Sequence, residues 1–303
     1  MALLVLAQQG MGTNDVVRAI GDQEWLDRIA DPVQKAVREL FESAGEGGRQ
    51  LKNFLHGKAL GHPLHPALID LPLGSWTLAA ILDGIEVARG NKKGKAADTA
   101  IKIGLIGAVA AAIAGITDWS ETDARAKRIG MTHGVMNLAA TGLYAASLLL
   151  RRRSRPQGIG LSMIAYAVAT SAAFLGGHLT YGEQIGVDHT ATADQGTPEK
   201  FVAVMDDEKL ADDKPTKVTA DGVSVVLVRQ GDAIHALRDT CTHLGGPLSE
   251  GKLEGNSIRC PWHGSRFCLA DGRVLDGPAV FPERVFDVRV RHGKIEVRAQ
   301  KEG

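Results

Sequence analysis

Four side chains near the C-terminus have the types and spacing of two metal-binding loops. The first loop carries Cys241 and His243, and the second, which begins after sixteen further residues, carries Cys260 and His263. Two thiolates and two imidazoles can hold a two-iron cluster, with both thiolates on one iron and both imidazoles on the other. Such a cluster transfers single electrons. Tetrahedral zinc is the alternative, but zinc sites mostly pair Cys with Cys and His with His, whereas each loop here has one of each.

The residues around these four side chains favour tight loops with exposed backbone N–H groups. The two stretches read CTHLGGPL and CPWHGSRF, and each contains glycine and proline. Backbone N–H groups that such loops present can donate hydrogen bonds to cluster sulfurs and tune the reduction potential. The glycines and prolines are Gly245, Gly246, Pro247, Pro261 and Gly264.

On these motifs, residues 201–298 resemble a Rieske domain of the ferredoxin type. The resemblance implies a 2Fe-2S cluster, with the two cysteines and two histidines named above as its ligands. The later Gly277-Pro278-Ala279 resembles the proline loop that covers the cluster in this family. The residues that the resemblance places beside the cluster are Gly264, Ser265 and Pro278.

Two departures from the Rieske proteins of quinol-oxidising complexes bear on the reduction potential. Those relatives carry a disulfide between the cluster loops, where this chain has Gly246 and Trp262, and Cys268 has no obvious partner in the sequence. Ser265 matches a serine that donates to a bridging sulfur, whereas Phe267 replaces a tyrosine. Because fewer hydrogen bonds stabilise the reduced cluster less, we expect a lower potential than in those relatives.

Composition divides the chain into a central apolar region and two charged flanks. Residues 66–182 are rich in Ala and Gly, while the 303-residue chain carries 35 basic and 35 acidic side chains. A net charge of zero gives no reason to expect a nucleic-acid partner. Three cysteines, two of them candidate ligands, exclude a disulfide framework. The apolar residues 1–7 are too few to predict a signal peptide.

Four apolar stretches in the central region predict four membrane-spanning helices. A crossing takes about 20 helical residues, and the third and fourth stretches reach that length without Asp, Glu, Lys or Arg. The second is shorter, and Asp70 and Asp83 interrupt the first. A buried helix of a soluble bundle is the alternative for any one stretch, but four in series favour a membrane domain. The stretches are approximately residues 66–88, 100–117, 132–150 and 158–182.

Positive charge in two short loops predicts the orientation in the membrane. Eight Lys and Arg residues lie between the first and second stretches and between the third and fourth, and the positive-inside rule places these loops in the cytoplasm. Both termini and the Rieske domain are then extracytoplasmic, although roughly 60 N-terminal residues would cross a bacterial cytoplasmic membrane without a signal. The eight are Arg89, Lys92, Lys93, Lys95, Arg151, Arg152, Arg153 and Arg155.

Four further histidines are expected at one face of the membrane domain. His62 and His65 precede or begin the first stretch, His133 begins the third and His178 ends the fourth. Ionisable residues at membrane depth are functional hypotheses by default. Three interpretations stay open: axial ligands of a b-type haem, a site for a quinone or a metal ion, and interfacial residues with a structural role.

The central region resembles a second family. The run FLHGKALGHPLHPALIDLPLGSWTLAAILD and the later segments GMTHGVMNLAATGLYAASLLLRRR and LGGHLTYGEQIGVDH are similar to the four-helix membrane domain DUF2231. The resemblance covers residues 54–189, and members of this family occur fused to Rieske domains in bacteria. It supports a membrane domain but implies no established activity.

The two flanks have different periodicities. Apolar residues at helical spacing over residues 14–43 predict an amphipathic hairpin that could pack on the membrane face, on a partner or on this chain's other domains. His56 lies in the linker that follows and could join the four histidines expected at the membrane face. Short alternating runs over residues 201–300, separated by turns such as Asp221-Gly222, predict an antiparallel β domain with the cluster loops at one tip.

The predicted fold class is multidomain α + β, a four-helix transmembrane bundle followed by an antiparallel β Rieske domain. The expected domains are an N-terminal amphipathic segment at residues 1–53, the membrane domain at 54–187, a linker at 188–200 and the Rieske domain at 201–303.

These features predict a membrane-anchored Rieske 2Fe-2S electron-transfer protein of a bacterial redox or respiratory chain, in contact with lipid and with redox partner proteins. A second redox or quinone site at the four membrane histidines is an open hypothesis. Two alternatives are an electron-supplying component of an oxygenase system and a structural subunit of a larger membrane complex. A complete oxygenase would need a mononuclear iron site for which we see no room, so a stand-alone enzyme is not favoured.

Overall fold

The chain forms two compact units, each of which contains two separate segments. The first, here the helical unit, comprises Met1–Gly48 and Leu64–Ile185. The second, here the β unit, comprises Arg49–Pro63 and Gly186–Gly303. The domain bounds expected from the sequence stay a prediction. The computed structural model describes residues 13–90, 94–191 and 197–300, so Lys92, Lys93, the segment 1–7 and part of the expected linker lie outside the described residues.

Short helices precede the apolar region. Val17 of the first helix is fully buried and packs with Ile129 and Leu175. Gln34 of the second helix is also buried, and its amide is satisfied there because it donates to the carbonyl oxygen of Trp119 at 2.8 Å. The predicted amphipathic segment therefore packs on the chain's own helical unit over these residues. The helices are α1 (Thr13–Gly21), α2 (Asp27–Ser43) and α3 (Gly45–Leu55).

Four long helices follow, each long and apolar enough to cross a membrane. They include the four stretches predicted from the sequence, except that the last ends at Tyr181, one residue earlier. The third begins at Ala124, eight residues earlier than predicted, because the polar segment before the apolar run is also helical. Exposed apolar side chains, among them Ile106 and Leu138, provide a surface suited to lipid. The helices are α4 (Leu64–Ala88), α5 (Ala96–Trp119), α6 (Ala124–Arg151) and α7 (Arg155–Tyr181).

The four long helices form two similar hairpins, α4 with α5 and α6 with α7. Three contacts join α4 to α6, and in each the α6 residue lies 68 positions after its α4 partner. Five buried positions of α7 likewise lie 61 positions after buried positions of α5. Contacts between equivalent positions indicate an approximate two-fold axis between α4 and α6. The three contacts are His65 with His133, Trp76 with Tyr144, and Asp83 with Arg151.

The end of the bundle near the α4–α5 and α6–α7 loops contains a buried ion network. Arg151 and Asp83 are both buried, and Nη1 of Arg151 lies 2.7 Å from Oδ1 of Asp83. Arg151 also reaches Asp98 at 3.0 Å, and Arg155 pairs with Glu86. The carboxylate that interrupts the first apolar stretch is thus compensated inside the bundle, as a buried charge must be.

The β unit consists of three small antiparallel sheets. One has the order β1-β10-β9, the second β2-β3-β4 and the third β5-β6-β7-β8. Asp221 and Gly222 both have positive φ, which fits the two-residue turn between β2 and β3. The strands are β1 (Val202–Asp206), β2 (Thr216–Ala220), β3 (Val223–Gln230), β4 (Ala233–Arg238), β5 (Lys252–Glu254), β6 (Ser257–Arg259), β7 (Arg266–Cys268), β8 (Val274–Asp276), β9 (Phe286–Arg291) and β10 (Lys294–Ala299).

Candidate metal centre

The two predicted metal-binding loops have the same local construction. The N–H of Cys241 donates to the carbonyl of Gly246 at 2.8 Å, and the N–H of Cys260 donates to the carbonyl of Ser265 at 2.8 Å. Within each loop a glycine with positive φ, +80° at Gly245 and +74° at Gly264, allows the chain to turn back. The first loop follows β4 and the second connects β6 to β7, so the strands fix both ends.

The two loops approach each other so closely that one position must be glycine. A Cβ atom at Gly246 would lie 2.9 Å from Sγ of Cys260 and 3.0 Å from the ring of Trp262. A side chain there would displace one loop from the other. The three cysteines Cys241, Cys260 and Cys268 are all buried free thiols.

The two thiols and two imidazoles meet between the loops. The rings of His243 and His263 are 5.1 Å apart between centroids and nearly perpendicular. The thiol of Cys241 donates to Cys260 and, together with the backbone N–H groups of Trp262 and His263, lowers the pKa of Cys260 to about 6. Burial, followed by the charge of His263, holds the pKa of His243 well below its usual value. A neutral imidazole and a stabilised thiolate are the forms that bind metal.

These residues fit a two-iron cluster. Nδ1 of His243 is buried and has no hydrogen-bond partner within the described residues. A buried polar atom without a partner is costly, and an iron ligated by that nitrogen would remove the cost. No group of three or more His, Cys, Asp and Glu side chains in the described ranges is arranged around one metal ion. Two protein ligands on each of two irons require no such group, whereas a structural zinc ion requires four.

The residues expected beside the cluster lie at the loops. Ser265 is fully buried, and its Oγ accepts a hydrogen bond from the N–H of Ala279 at 2.9 Å. Its own hydroxyl proton is then available for a second acceptor. The peptide bond between Gly277 and Pro278 is cis. Phe267 is fully buried in the core beneath the loops.

Three residues near the first loop were not found from the sequence. The carboxylate of Glu283 is buried and accepts from the N–H of Thr242 at 2.8 Å, and burial raises its pKa. The N–H of His189 donates to the carbonyl of Thr242 at 3.0 Å. His56 and His189 are both close enough to act electrostatically on His243. These contacts join residues that are far apart in the sequence, so no local pattern reveals them.

The structure brings two of the four membrane histidines together. The rings of His65 and His133 are 6.3 Å apart and perpendicular. Nδ1 of His65 lies 2.8 Å from the carbonyl oxygen of Ala111 on α5, and Nδ1 of His133 lies 2.8 Å from that of Ala172 on α7. A carbonyl only accepts, so both Nδ1 atoms carry protons and both Nε2 atoms have lone pairs. The amide of Asn137 lies 3.1 Å from Nε2 of His133.

The other two histidines have different surroundings. His62 is exposed and belongs to the β unit, where its Nδ1 lies 3.0 Å from the carbonyl oxygen of Pro63. His178 lies 3.6 Å from Glu183. No three of the four form a common metal-binding group in the part of the chain that the structure describes. A site made by all four remains a prediction, and the observed geometry supports the pair on α4 and α6.

The paired Cys-and-His loops of the β unit are typical of an electron-transfer domain, and the chain also has four helices that are long and apolar enough to cross a membrane. The chain belongs to the Rieske [2Fe-2S] family, whose model matches residues 200–289, and residues 61–189 match the family described as predicted membrane protein DUF2231. Its cofactor is therefore a 2Fe-2S cluster.

Several relatives of the β unit are ferredoxins. The chain is 40% identical to ferredoxin CarAc of Metapseudomonas resinovorans over 25% of this chain and 72% of that protein. It is 30% identical to the anthranilate 1,2-dioxygenase ferredoxin subunit of Burkholderia cepacia over 30% of this chain and 83% of that protein. The ferredoxin of carbazole 1,9a-dioxygenase from Nocardioides aromaticivorans IC177 is 32% identical, with a TM-score of 0.32, over 33% of this chain and 99% of that one.

Proposed function

We propose that the chain is a membrane-anchored one-electron carrier whose cluster is held by Cys241, His243, Cys260 and His263. The buried, unpartnered Nδ1 of His243 carries this proposal, together with the thiol pair opposite it. The cluster supplies reversible one-electron chemistry when bound. The protein loops present N–H groups to the cysteine sulfur, and burial keeps the imidazole of His243 neutral, which supports metal binding.

The edge through which electrons enter and leave is the surface at the second loop. His263 is half-buried, and the neighbouring Trp262 is 56% exposed. Exposed aromatic side chains favour protein–protein contact. The names of the ferredoxin relatives support an oxygenase-type redox partner, and a respiratory partner is the second possibility. The loop charges support an extracytoplasmic β unit at the bacterial cytoplasmic membrane.

A second redox site is proposed at His65 and His133. Both Nε2 atoms have lone pairs, and both rings are held by backbone carbonyls, as is usual for imidazoles that bind metal. The ring centroids are 6.3 Å apart, and imidazole nitrogens bind metal ions at about 2 Å. The amide of Asn137 would have to turn away from His133. A b-type haem is one redox centre that two axial imidazoles can hold.

Optical and EPR spectra of the full chain purified in detergent test both sites. We expect a 2Fe-2S signal on reduction that disappears in Cys260→Ala and persists in the control Cys268→Ala, because Cys268 is buried but lies outside the loops. Haem bands should be present and disappear in His133→Ala. A cluster that survives Cys260→Ala refutes the ligand assignment. Cluster bands without haem bands refute the haem and leave the first site intact.

A further inference from the structure

A segment that precedes the first membrane helix contacts the loop beside the metal centre. The C-terminal part of α3 and the following 3-10 turn (Lys58–Leu60) belong to the β unit. Their side chains reach three consecutive residues at the end of β8. We call residues 49–60 the brace, because they hold this loop from outside the Rieske match at residues 200–289. The residues that the brace contacts are Leu275, Asp276 and Gly277.

Four hydrogen bonds connect the brace to the loop. Asn53 uses both atoms of its amide: Nδ2 donates to Oδ1 of Asp276 at 2.9 Å, and Oδ1 accepts from the N–H of Gly277 at 2.8 Å. Arg49 pairs with the same carboxylate at 2.5 Å. Lys58 donates from Nζ to the carbonyl of Leu275 at 2.6 Å. Two of the four bonds are made to backbone groups, so they fix the path of the chain.

In addition to the four hydrogen bonds, the brace and the loop are in close steric contact. His56 is almost completely buried, and a Cβ atom at Gly277 would lie 3.1 Å from its ring carbon Cδ2. The loop can therefore approach the brace this closely because residue 277 is glycine. Together with Asn53, the imidazole ring fixes the position of the Gly277 backbone.

The braced loop leads directly to a hydroxyl of the metal centre. Pro278 follows Gly277, and the next N–H, that of Ala279, donates to Oγ of Ser265 at 2.9 Å. Asp276 also pairs with Arg266 at 2.9 Å, and Arg266 is the neighbour of Ser265 in the chain. The brace thus acts on both sides of the serine. A hydroxyl that accepts one well-aligned hydrogen bond is a better donor in its second bond.

We propose that the brace is an in-cis positioning element for the cluster. Asn53 and Arg49 hold the loop so that the hydroxyl of Ser265 is directed at a cluster sulfur, and this raises the reduction potential. The positive charges of Arg49 and Lys58 act in the same direction, because they favour the more negative reduced cluster. The inference rests on the proposed function of the β unit as a cluster-binding carrier.

The chain topology is compatible with this arrangement. The brace ends immediately before α4, and the β unit resumes shortly after α7. Four spans are an even number, so the chain enters and leaves the membrane on the same side. Both segments of the β unit are then on that side. A domain whose fold includes residues from before the first span and after the last has two covalent connections to the membrane helices.

The test is a redox titration of the purified full chain, monitored by EPR, on Asn53→Ala and Arg49→Gln. Leu51→Ala is the matched control, because Leu51 is an exposed residue of the same turn. We expect Asn53→Ala to shift the reduction equilibrium about tenfold towards the oxidised form, which is about 59 mV for one electron, and to change the EPR g values. Arg49→Gln should shift the equilibrium less, and Arg49→Lys should restore part of the shift.

Three outcomes distinguish this inference from the proposed function. If both variants bind the cluster and have the same reduction potential and g values as the control, the proposed role of the brace is wrong. If Asn53→Ala does not retain the cluster, the reduction potential of Arg49→Gln tests the role of the brace. Arg49 is partly exposed, and its replacement leaves both hydrogen bonds of Asn53 in place. Absence of a cluster from the unsubstituted chain would overturn the proposed function instead.

Discussion

Two side chains next to the cluster loops bear on the reduction potential in opposite ways. Ser265 places a buried hydroxyl beside the second loop, and the N–H of Ala279 orients it. Phe267, two residues further along β7, fills the core beneath the loops without a polar atom. A cluster with one hydroxyl donor instead of two has a less stabilised reduced form. The pair therefore predicts a low potential for this centre.

Phe267→Tyr should raise the reduction potential. The added hydroxyl would take the place that a tyrosine has in quinol-oxidising relatives, and one further hydrogen bond of about 1 kcal/mol corresponds to a few tens of millivolts for one electron. A redox titration measures the shift. Phe286→Tyr is the control, because Phe286 is also buried but lies in a different part of the hydrophobic core of the β unit. Equal potentials for Phe267→Tyr and the unsubstituted chain would contradict the prediction.

The four candidate ligands could be predicted because they lie in two short motifs. Among the supporting residues, Ser265 could also be predicted, whereas those that contact the loops from distant parts of the sequence could not. Asn53 contacts Gly277 across 224 positions of the sequence, and Glu283 contacts Thr242 across 41. Such pairs form only when the strands have assembled, and an isolated Asn or Glu has no pattern that announces its partner. The sequence instead placed His56 with the membrane histidines as a possibility, whereas it is buried against Gly277 in the β unit.

The long helices were predictable in number and approximate position, since apolar length alone identifies them. The similarity of the two helical hairpins could not be predicted, because few equivalent positions have the same residue. His65 and Gly74 are repeated as His133 and Gly142, while Trp76 is replaced by tyrosine. The relation becomes clear from contacts: equivalent residues of α4 and α6 meet at three levels along the bundle. Asp83 looked like an interruption because its partner Arg151 lies two helices later.

Removal of one partner of this buried ion pair should destabilise the helical unit. Asp83→Leu leaves Arg151 buried with less compensation, and breaking such a pair costs about 3–5 kcal/mol. Arg152→Leu, at an exposed neighbouring position, should change stability by about 0.5 kcal/mol or less. Unfolding in detergent measures both variants. The double variant Asp83→Leu/Arg151→Leu should lose less than the two single losses together, and strict additivity would show that the pair is not coupled.

The whole chain passes between its two units three times, since residues 49–63 belong to the β unit and both neighbouring segments to the helical unit. A single linker after the last span would permit the β unit to swing between donor and acceptor. The β unit instead has two covalent connections to the membrane helices, one before Leu64 and one after Ile185.

Which partners can reach the edge at Trp262 and His263 depends on the orientation in the membrane. The positive loops predict that the β unit is extracytoplasmic. Arg151 and Arg155 are paired with carboxylates, but acidic residues contribute little to the rule, so the prediction stands on all eight charges. In intact cells, a membrane-impermeant maleimide should label Lys214→Cys in the β unit, and should label Arg153→Cys only after permeabilisation; both positions are exposed. The unsubstituted chain, whose three cysteines are buried, controls for background. The reverse labelling pattern would place the cluster in the cytoplasm and contradict the prediction.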